Sequence, residues 1–327
     1  MKHDALDLYV CPGCHLSLSL TVRATDGAEI LDGDLRCSAC ATVYPIVRGV
    51  PRFVASGAYA STFGRQWNWF RTVQMDSQNR SRTSLETFRG TTGWTDADLA
   101  GRLVLDAGVG AGRFAECASA AGATVCGVDL TEAIDAAFVN IGRDPGVHLA
   151  QADIFALPFR PGTFDLAYSI GVLHHTPDTE AAFRHVADTI RPGGAFAVYL
   201  YARYGLAHRG SDALRAVTTK LPTRLLLGLT TLAIPLHYVY RVPVLGRLLN
   251  LAAPISPESN WRWRWLDTFD WYSPTYQWKF LYPEVFRWFR ANGFRDVEIF
   301  DGPIRMRGVK ADHGADRAHP RPQLVAS

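Results

Sequence analysis

Between positions 103 and 112 the chain reads Leu-Val-Leu-Asp-Ala-Gly-Val-Gly-Ala-Gly, and no other stretch narrows the choice of fold as much. An apolar run that ends in Asp106 and passes at once into glycines 108, 110 and 112 predicts a buried parallel strand, a tight turn and a helix. Glycine allows such a turn positive φ and lets a ligand lie against bare backbone. The spacing departs from the Gly-x-Gly-x-x-Gly turn that cradles a pyrophosphate, because Arg113 stands where the last glycine would be. Asp106, just before the turn, suits a cationic ligand instead.

Four further segments repeat the pattern of strand followed by chemistry. Thr124 to Asp129 reads as a second strand, and its terminal carboxylate can accept both hydroxyls of a ribose. Val147 to Ile154 reads as a third strand with Asp153 near its end, and Phe164 to Ile170 as a fourth. Gly171-Val-Leu-His-His-Thr-Pro-Asp178 follows it, and Arg191-Pro-Gly-Gly194 closes a helix before a fifth strand, Ala195 to Tyr201. A helix over 283–290, capped by Asn292-Gly293, precedes strands at 294–300 and 304–309. Each acid, taken singly, also reads as a helix cap or turn residue.

In order and spacing these motifs resemble the class I S-adenosylmethionine (SAM) methyltransferases. The resemblance covers 101–201 and again 283–310, and Val109 departs from it where the family carries a small residue or cysteine. It implies an α/β fold, a Rossmann-like seven-stranded sheet of order 3-2-1-4-5-7-6. It places Asp106, Gly108, Gly110 and Gly112 under the amino-acid arm of SAM, Asp129 with Leu130 at the ribose, and Asp153 with Ile154 at the adenine. Ser169 joins these as a binding residue at the end of the fourth strand. His174 and His175 resemble the Leu-His-His-x-Pro-Asp stretch of sugar and natural-product O-methyltransferases, which places them near the acceptor. A histidine titrates near neutrality and suits a general base. Against that stands a purely structural role, one His capping a helix and the other bonding backbone.

The 327 residues, 48% of them hydrophobic, allow one α/β domain with an appendage, and a net charge of +3 argues against a polyanionic partner. The N-terminus lacks the pattern of a signal peptide and no apolar run is long enough to cross a bilayer, so a cytoplasmic protein is expected. Four of the six cysteines form Cys11-Pro-Gly-Cys14 and Cys37-Ser-Ala-Cys40. Two such knuckles predict a structural zinc ribbon; paired disulfides and a redox Cys-x-x-Cys are the competing readings. With Val43 to Phe53, this segment resembles the small activator subunit of eukaryotic tRNA and release-factor methyltransferases. It stands here in cis, as a stabilising cap or as a recruiter of substrate. Cys117 and Cys126 read as core residues.

The expected organisation is a ribbon over 1–55, an aromatic helical linker over 56–100, a SAM domain over 101–310 with a lid insertion at 203–282, and a disordered tail over 311–327. In the linker Phe63, Gln66 and Trp67 recur at helical spacing and are candidates to cover the SAM pocket, where aromatic faces attract a sulfonium. An amphipathic helix packing ribbon to core explains them equally. The insertion is leucine-rich over 221–253 and broken by prolines. It reads as a helical lid over an acceptor pocket or as a helix lying on a membrane. Asp270 and Tyr272, in a Phe-Asp-x-x-Ser-Pro-x-Tyr stretch similar to ones in bacterial small-molecule methyltransferases, are reserve catalytic candidates or pins for the lid. The leading expectation is methyl transfer to a small, partly apolar metabolite by in-line displacement. Alternatives are a cyclase that closes SAM's own aminobutyrate arm and releases methylthioadenosine, an rRNA or tRNA methyltransferase, and a degenerate SAM-fold scaffold. Nothing in the sequence defines an oligomer.

Overall fold

A computed structural model of the chain describes residues 1–54, 70–204 and 207–312. Phe63, Gln66, Trp67 and the tail from 313 lie outside the described residues. Four antiparallel strands come first, β1 (Leu18–Asp26), β2 (Glu29–Cys37), β3 (Val43–Val47) and β4 (Val50–Pro51), ordered β1-β2-β3-β4. Three short helices follow, α1 (Asp76–Asn79), α2 (Thr83–Thr92) and α3 (Asp96–Leu99).

The central sheet is built from β5 (Leu103–Ala107), α4 (Arg113–Ala120), β6 (Thr124–Asp129), α5 (Ala133–Ile141), β7 (Val147–Gln151), β8 (Phe164–Ile170), α6 (Thr179–Asp188) and β9 (Ile190–Tyr199). Its apolar strands are covered on both faces, as parallel strands between helices must be. Val104, Leu105, Val125, Cys126 and Val128 are wholly buried. After the insertion, α12 (Tyr282–Ala291) leads to β10 (Phe294–Ile299) and β11 (Arg305–Lys310), and β11 enters antiparallel between β9 and β10. The resulting order, β10-β11-β9-β8-β5-β6-β7, is the one the methyltransferase resemblance implies.

Several boundaries differ from the sequence reading, three of them informatively. The third strand stops at Gln151, because Asp153 turns its carboxylate onto the Phe155 amide (3.0 Å) and starts a short 3-10 turn. Arg191 to Gly194 do not close a helix. The helix ends at Asp188 and these residues form the irregular start of β9, held by Arg191 Nε donating to Asp165 at 2.6 Å. The fifth strand ends at Tyr199 rather than Tyr201.

The N-terminal sheet is not a loose appendage. The Phe53 amide donates to the Gln151 carbonyl (2.8 Å), and Arg52 pairs beside it, so the chain leaving β4 covers the edge strand β7. An exposed edge would otherwise invite further strand pairing. Arg48 and Arg52 both pair with Asp135 on α5, and Tyr9, Tyr44, Phe53 and Phe159 form an aromatic cluster across the seam. Gly49, at φ +83°, sits where an added Cβ would meet the Phe138 ring at 2.3 Å. Replacing it by alanine forces both a left-handed conformation and a clash. Gly49→Ala is expected to cost about 2–3 kcal/mol, read as a fall of several degrees in thermal unfolding; an unchanged melting curve would refute this packing.

The insertion consists of α7 (Ala207–Thr218), α8 (Thr223–Thr230), α9 (Ala233–Tyr240), α10 (Leu245–Ala252) and α11 (Trp261–Tyr272). Its interior is a separate cluster in which Leu226 and Leu227 meet Trp263, Leu266 and Phe269 of α11, joined by Phe70 and Val73. Among the described residues no helix is long and apolar enough to cross a membrane.

Candidate active site

The three glycines after β5 all take positive φ, but for different reasons. A Cβ on Gly108 would lie 2.4 Å from Val172, and one on Gly112 would lie 2.7 Å from Ile141, so these two allow close packing. Gly110 has nothing within 4 Å of its absent Cβ and faces an open cavity. Asp129 fastens the turn. Its Oδ2 accepts the Gly110 amide at 2.9 Å, and its Oδ1 accepts the amide and hydroxyl of Thr131 at 2.8 and 2.7 Å. Burial raises its pKa, opposed by those donors.

The cavity over this turn has a volume of about 480 Å3, within the range of small-molecule sites. It opens beside the carboxyl ends of β5 and β8, where the strand order reverses and ligands bind in such sheets. Gly108, Gly110, Asp129, Leu130, Asp153 and Ile154 line one part; His175, Tyr199, Tyr201 and Asp270 line another, and α11 contributes to its wall.

Several expected residues serve the scaffold instead. Asp106 is buried, does not line the cavity and accepts the Tyr168 hydroxyl at 2.9 Å; burial pushes its carboxyl up to about 8. Ser169 is fully buried and its hydroxyl donates to the Ala107 carbonyl at 2.7 Å, tying β8 to β5. Gly112 faces Ile141 and not the cavity. Tyr272 does not line the cavity; its hydroxyl donates to the Pro254 carbonyl at 2.7 Å and ties α11 to the loop before it, the alternative to its catalytic candidacy.

The adjacent histidines part company. His174 is fully buried against the Tyr201 ring, away from the cavity, and neither ring nitrogen has a hydrogen-bond partner among the described residues. His175 lines the cavity with Nδ1 2.9 Å from the Tyr276 carbonyl. A carbonyl only accepts, so the proton belongs on Nδ1 and the basic lone pair on Nε2. Burial lowers both imidazoles, His175 to about 4.

Sequence reasoning did not place Arg113 in the site and singled out Asp270 rather than Asp267 of the same stretch; both Arg113 and Asp267 stand in the cavity wall. Arg113 follows the glycine turn, lies over the Phe114 ring at 4.3 Å and is lowered by burial, with Asp267 the largest opposing influence. Asp267 accepts from Gln74 (3.0 Å) and Ser256 (3.2 Å), and burial pushes it up to about 7. The i, i+3 spacing of Asp267 and Asp270 on one helix was the available signal.

Residues 105–198 match the family model described as a methyltransferase domain. The ubiquinone biosynthesis O-methyltransferase of Aromatoleum aromaticum is 37% identical over 127 residues, 34% of this chain and 54% of that protein. The enzyme of that name from Thiobacillus denitrificans is 37% identical over 107 residues, 31% and 46% of the two chains. The chain thus spans about half the length of the curated relatives it matches. A SAM-dependent methyltransferase structure from Mesorhizobium loti is 35% identical, with a TM-score of 0.30 over 32% of this chain and 49% of that one. This stretch is a class I SAM-dependent methyltransferase domain.

Because both imidazoles have depressed pKa values, the unfolded chain binds more protons than the folded one between about pH 4 and 6.5. Their contribution to stability is therefore complete above about pH 6.5 and declines as pH falls through that window. His175→Gln is expected to flatten the acid limb of a stability–pH curve; an unaltered slope would show that His175 already carries a proton there.

Proposed function

We propose that the protein methylates an oxygen of a small, partly apolar acceptor, using SAM. The observation that carries this reading is the single cavity joining Gly110, Asp129 and Asp153 to His175 and the tyrosines near α11. The relatives named O-methyltransferases support oxygen as the accepting atom.

Bound SAM supplies a methyl group activated by a sulfonium. The turn at Gly108 and Gly110 offers bare backbone to its amino-acid arm. Asp129 accepts a ribose hydroxyl at Oδ2, which takes only the Gly110 amide, whereas Oδ1 already holds both Thr131 donors. Asp153 and Ile154 flank the adenine. His175 Nε2 takes the acceptor's proton, and the Tyr276 carbonyl stabilises the imidazolium through Nδ1. A base of pKa about 4 stays unprotonated at neutral pH. Asp270 and Asp267, side by side on α11, are the reserve bases. Closure of SAM's own arm and RNA methylation remain the competing readings. Room for Tyr199, Tyr201 and Trp271 along the cavity wall favours a separate small acceptor.

The same reading assigns Zn2+ to Cys11, Cys14, Cys37 and Cys40, as a structural ion. Their sulfurs lie within 4.8 Å of one another, three of the pairs at 3.3 to 3.9 Å. Four thiolates about 2.3 Å from one ion stand roughly 3.8 Å apart, whereas a disulfide needs about 2.05 Å. Residues 1–55 then form a ribbon that braces the SAM domain, with 56–100 as cap and 203–282 as lid.

Incubation with methyl-labelled SAM and a panel of phenols, read by mass spectrometry, tests the reaction. S-adenosylhomocysteine with a labelled methyl ether is expected; methylthioadenosine from SAM alone would overturn methyl transfer. Asp129→Ala is expected to weaken SAM binding by about 30-fold or more, the scale of lost charge-assisted bonds. His175→Ala should keep SAM affinity and lower kcat by about 10²–10⁴; equal losses in both would assign His175 to binding instead. Elemental analysis should find one zinc per chain, lost in Cys37→Ser.

A further inference from the structure

The outer face of the lid carries an arrangement that neither its packing nor the cavity uses. Leu225, Leu229, Leu232, Leu236 and Val239 are all exposed, Leu232 by 55%. Their spacing of 4, 3, 4 and 3 residues places them along one side of a helix. The backbone stays right-handed helical through Thr231 and Leu232, so the stripe runs on from α8 into α9. The opposite side, Leu226, Leu227 and Ala233, is buried. On α10, Leu245, Leu248 and Leu251 repeat the pattern and are equally exposed, and Val242 and Val244 lie exposed in the turn between. Soluble monomers rarely leave so much contiguous apolar surface in water.

The charges on this segment are one-sided. Lys220, Arg224, Arg241 and Arg247 are exposed and enter no ion pair among the described residues. Asp212 is the only carboxylate from 210 to 257, and Lys279 already pairs with it. Pro235 sits in the first turn of α9 and Pro243 in the turn before α10, and the helices are far too short to span a bilayer.

We propose that this face is a docking surface for an anionic phospholipid bilayer, with α8 to α10 lying in the headgroup plane. Leucines there enter the acyl boundary while the four cations meet lipid phosphates. A second copy of the chain fits poorly, because a two-fold contact would set four cations against four with no carboxylate to match. The docked helices are fixed to the wall of the cavity: Trp265 Nε1 on α11 donates to the Leu227 carbonyl at 3.0 Å and to Thr230 Oγ1 at 3.1 Å. Seating this face on lipid would therefore set α11, which carries Asp267 and Asp270, close above the headgroups.

Flotation of the full chain with vesicles of phosphatidylcholine, with and without roughly a third phosphatidylglycerol, tests the proposal. Binding is expected only to the anionic vesicles and should weaken as salt is raised. The triple variant Leu229→Glu, Leu232→Glu, Leu236→Glu and the charge reversal of Lys220, Arg224, Arg241 and Arg247 to Glu should each lower partitioning by at least ~100-fold. Their melting temperatures and SAM affinity should stay near those of the parent. Three results would overturn the proposal: no binding to either vesicle, equal binding to both, or a micromolar dimer in sedimentation that the leucine variant dissolves. The charge-reversal variant keeps the test open if the leucine variant fails to fold.

Discussion

The whole site depends on how closely the turn after β5 approaches the turn after β8. Gly108 lies against Val172 with no room for a single carbon between them, so the two turns close the floor of a crevice at the point where the strand order reverses. Asp129 then stitches the glycine turn to the end of β6 through the Gly110 amide. Beneath that floor Asp106, Tyr168, Ser169 and Ala107 form a buried polar tie between β5 and β8. The cavity is thus a consequence of backbone approach, and the functional side chains are set around it rather than building it.

Much of this was legible in the chain. The apolar runs ending in Asp106 and Asp129, and the glycines between them, announce both the sheet and the crevice, because parallel strands and positive-φ turns leave strong local marks. What they could not convey is direction. Asp106 and Ser169 sit at suitable positions in sequence, yet their side chains turn into the interior between β5 and β8, where a polar group must find a partner. His174 and His175 are neighbours in a 3-10 turn, so one step in sequence sends the first into the core and the second into the cavity. Tyr272 shares a helix with Asp270, but its hydroxyl is taken by a carbonyl of the loop before that helix.

The insertion was the least legible part for a related reason. Its helices carry leucines on both sides, and hydropathy alone cannot say which side meets α11. Only the burial of Leu226 and Leu227 beside exposed Leu225 and Leu229 separates an interior face from an outward one. One leucine-rich stretch thus carries both a side packed on α11 and a side turned outward.

The seam between the N-terminal sheet and β7 has a mechanical consequence. Arg52 and Phe53 bond along Gln151, and the Gln151 amide in turn donates to the carbonyl of Leu130, which lines the cavity. From the strands that follow the cysteine knuckles to Leu130 in the cavity wall there is thus a run of paired strands and short bonds. The edge of the sheet beside Leu130 is therefore held from outside, by residues about a hundred positions away in the chain.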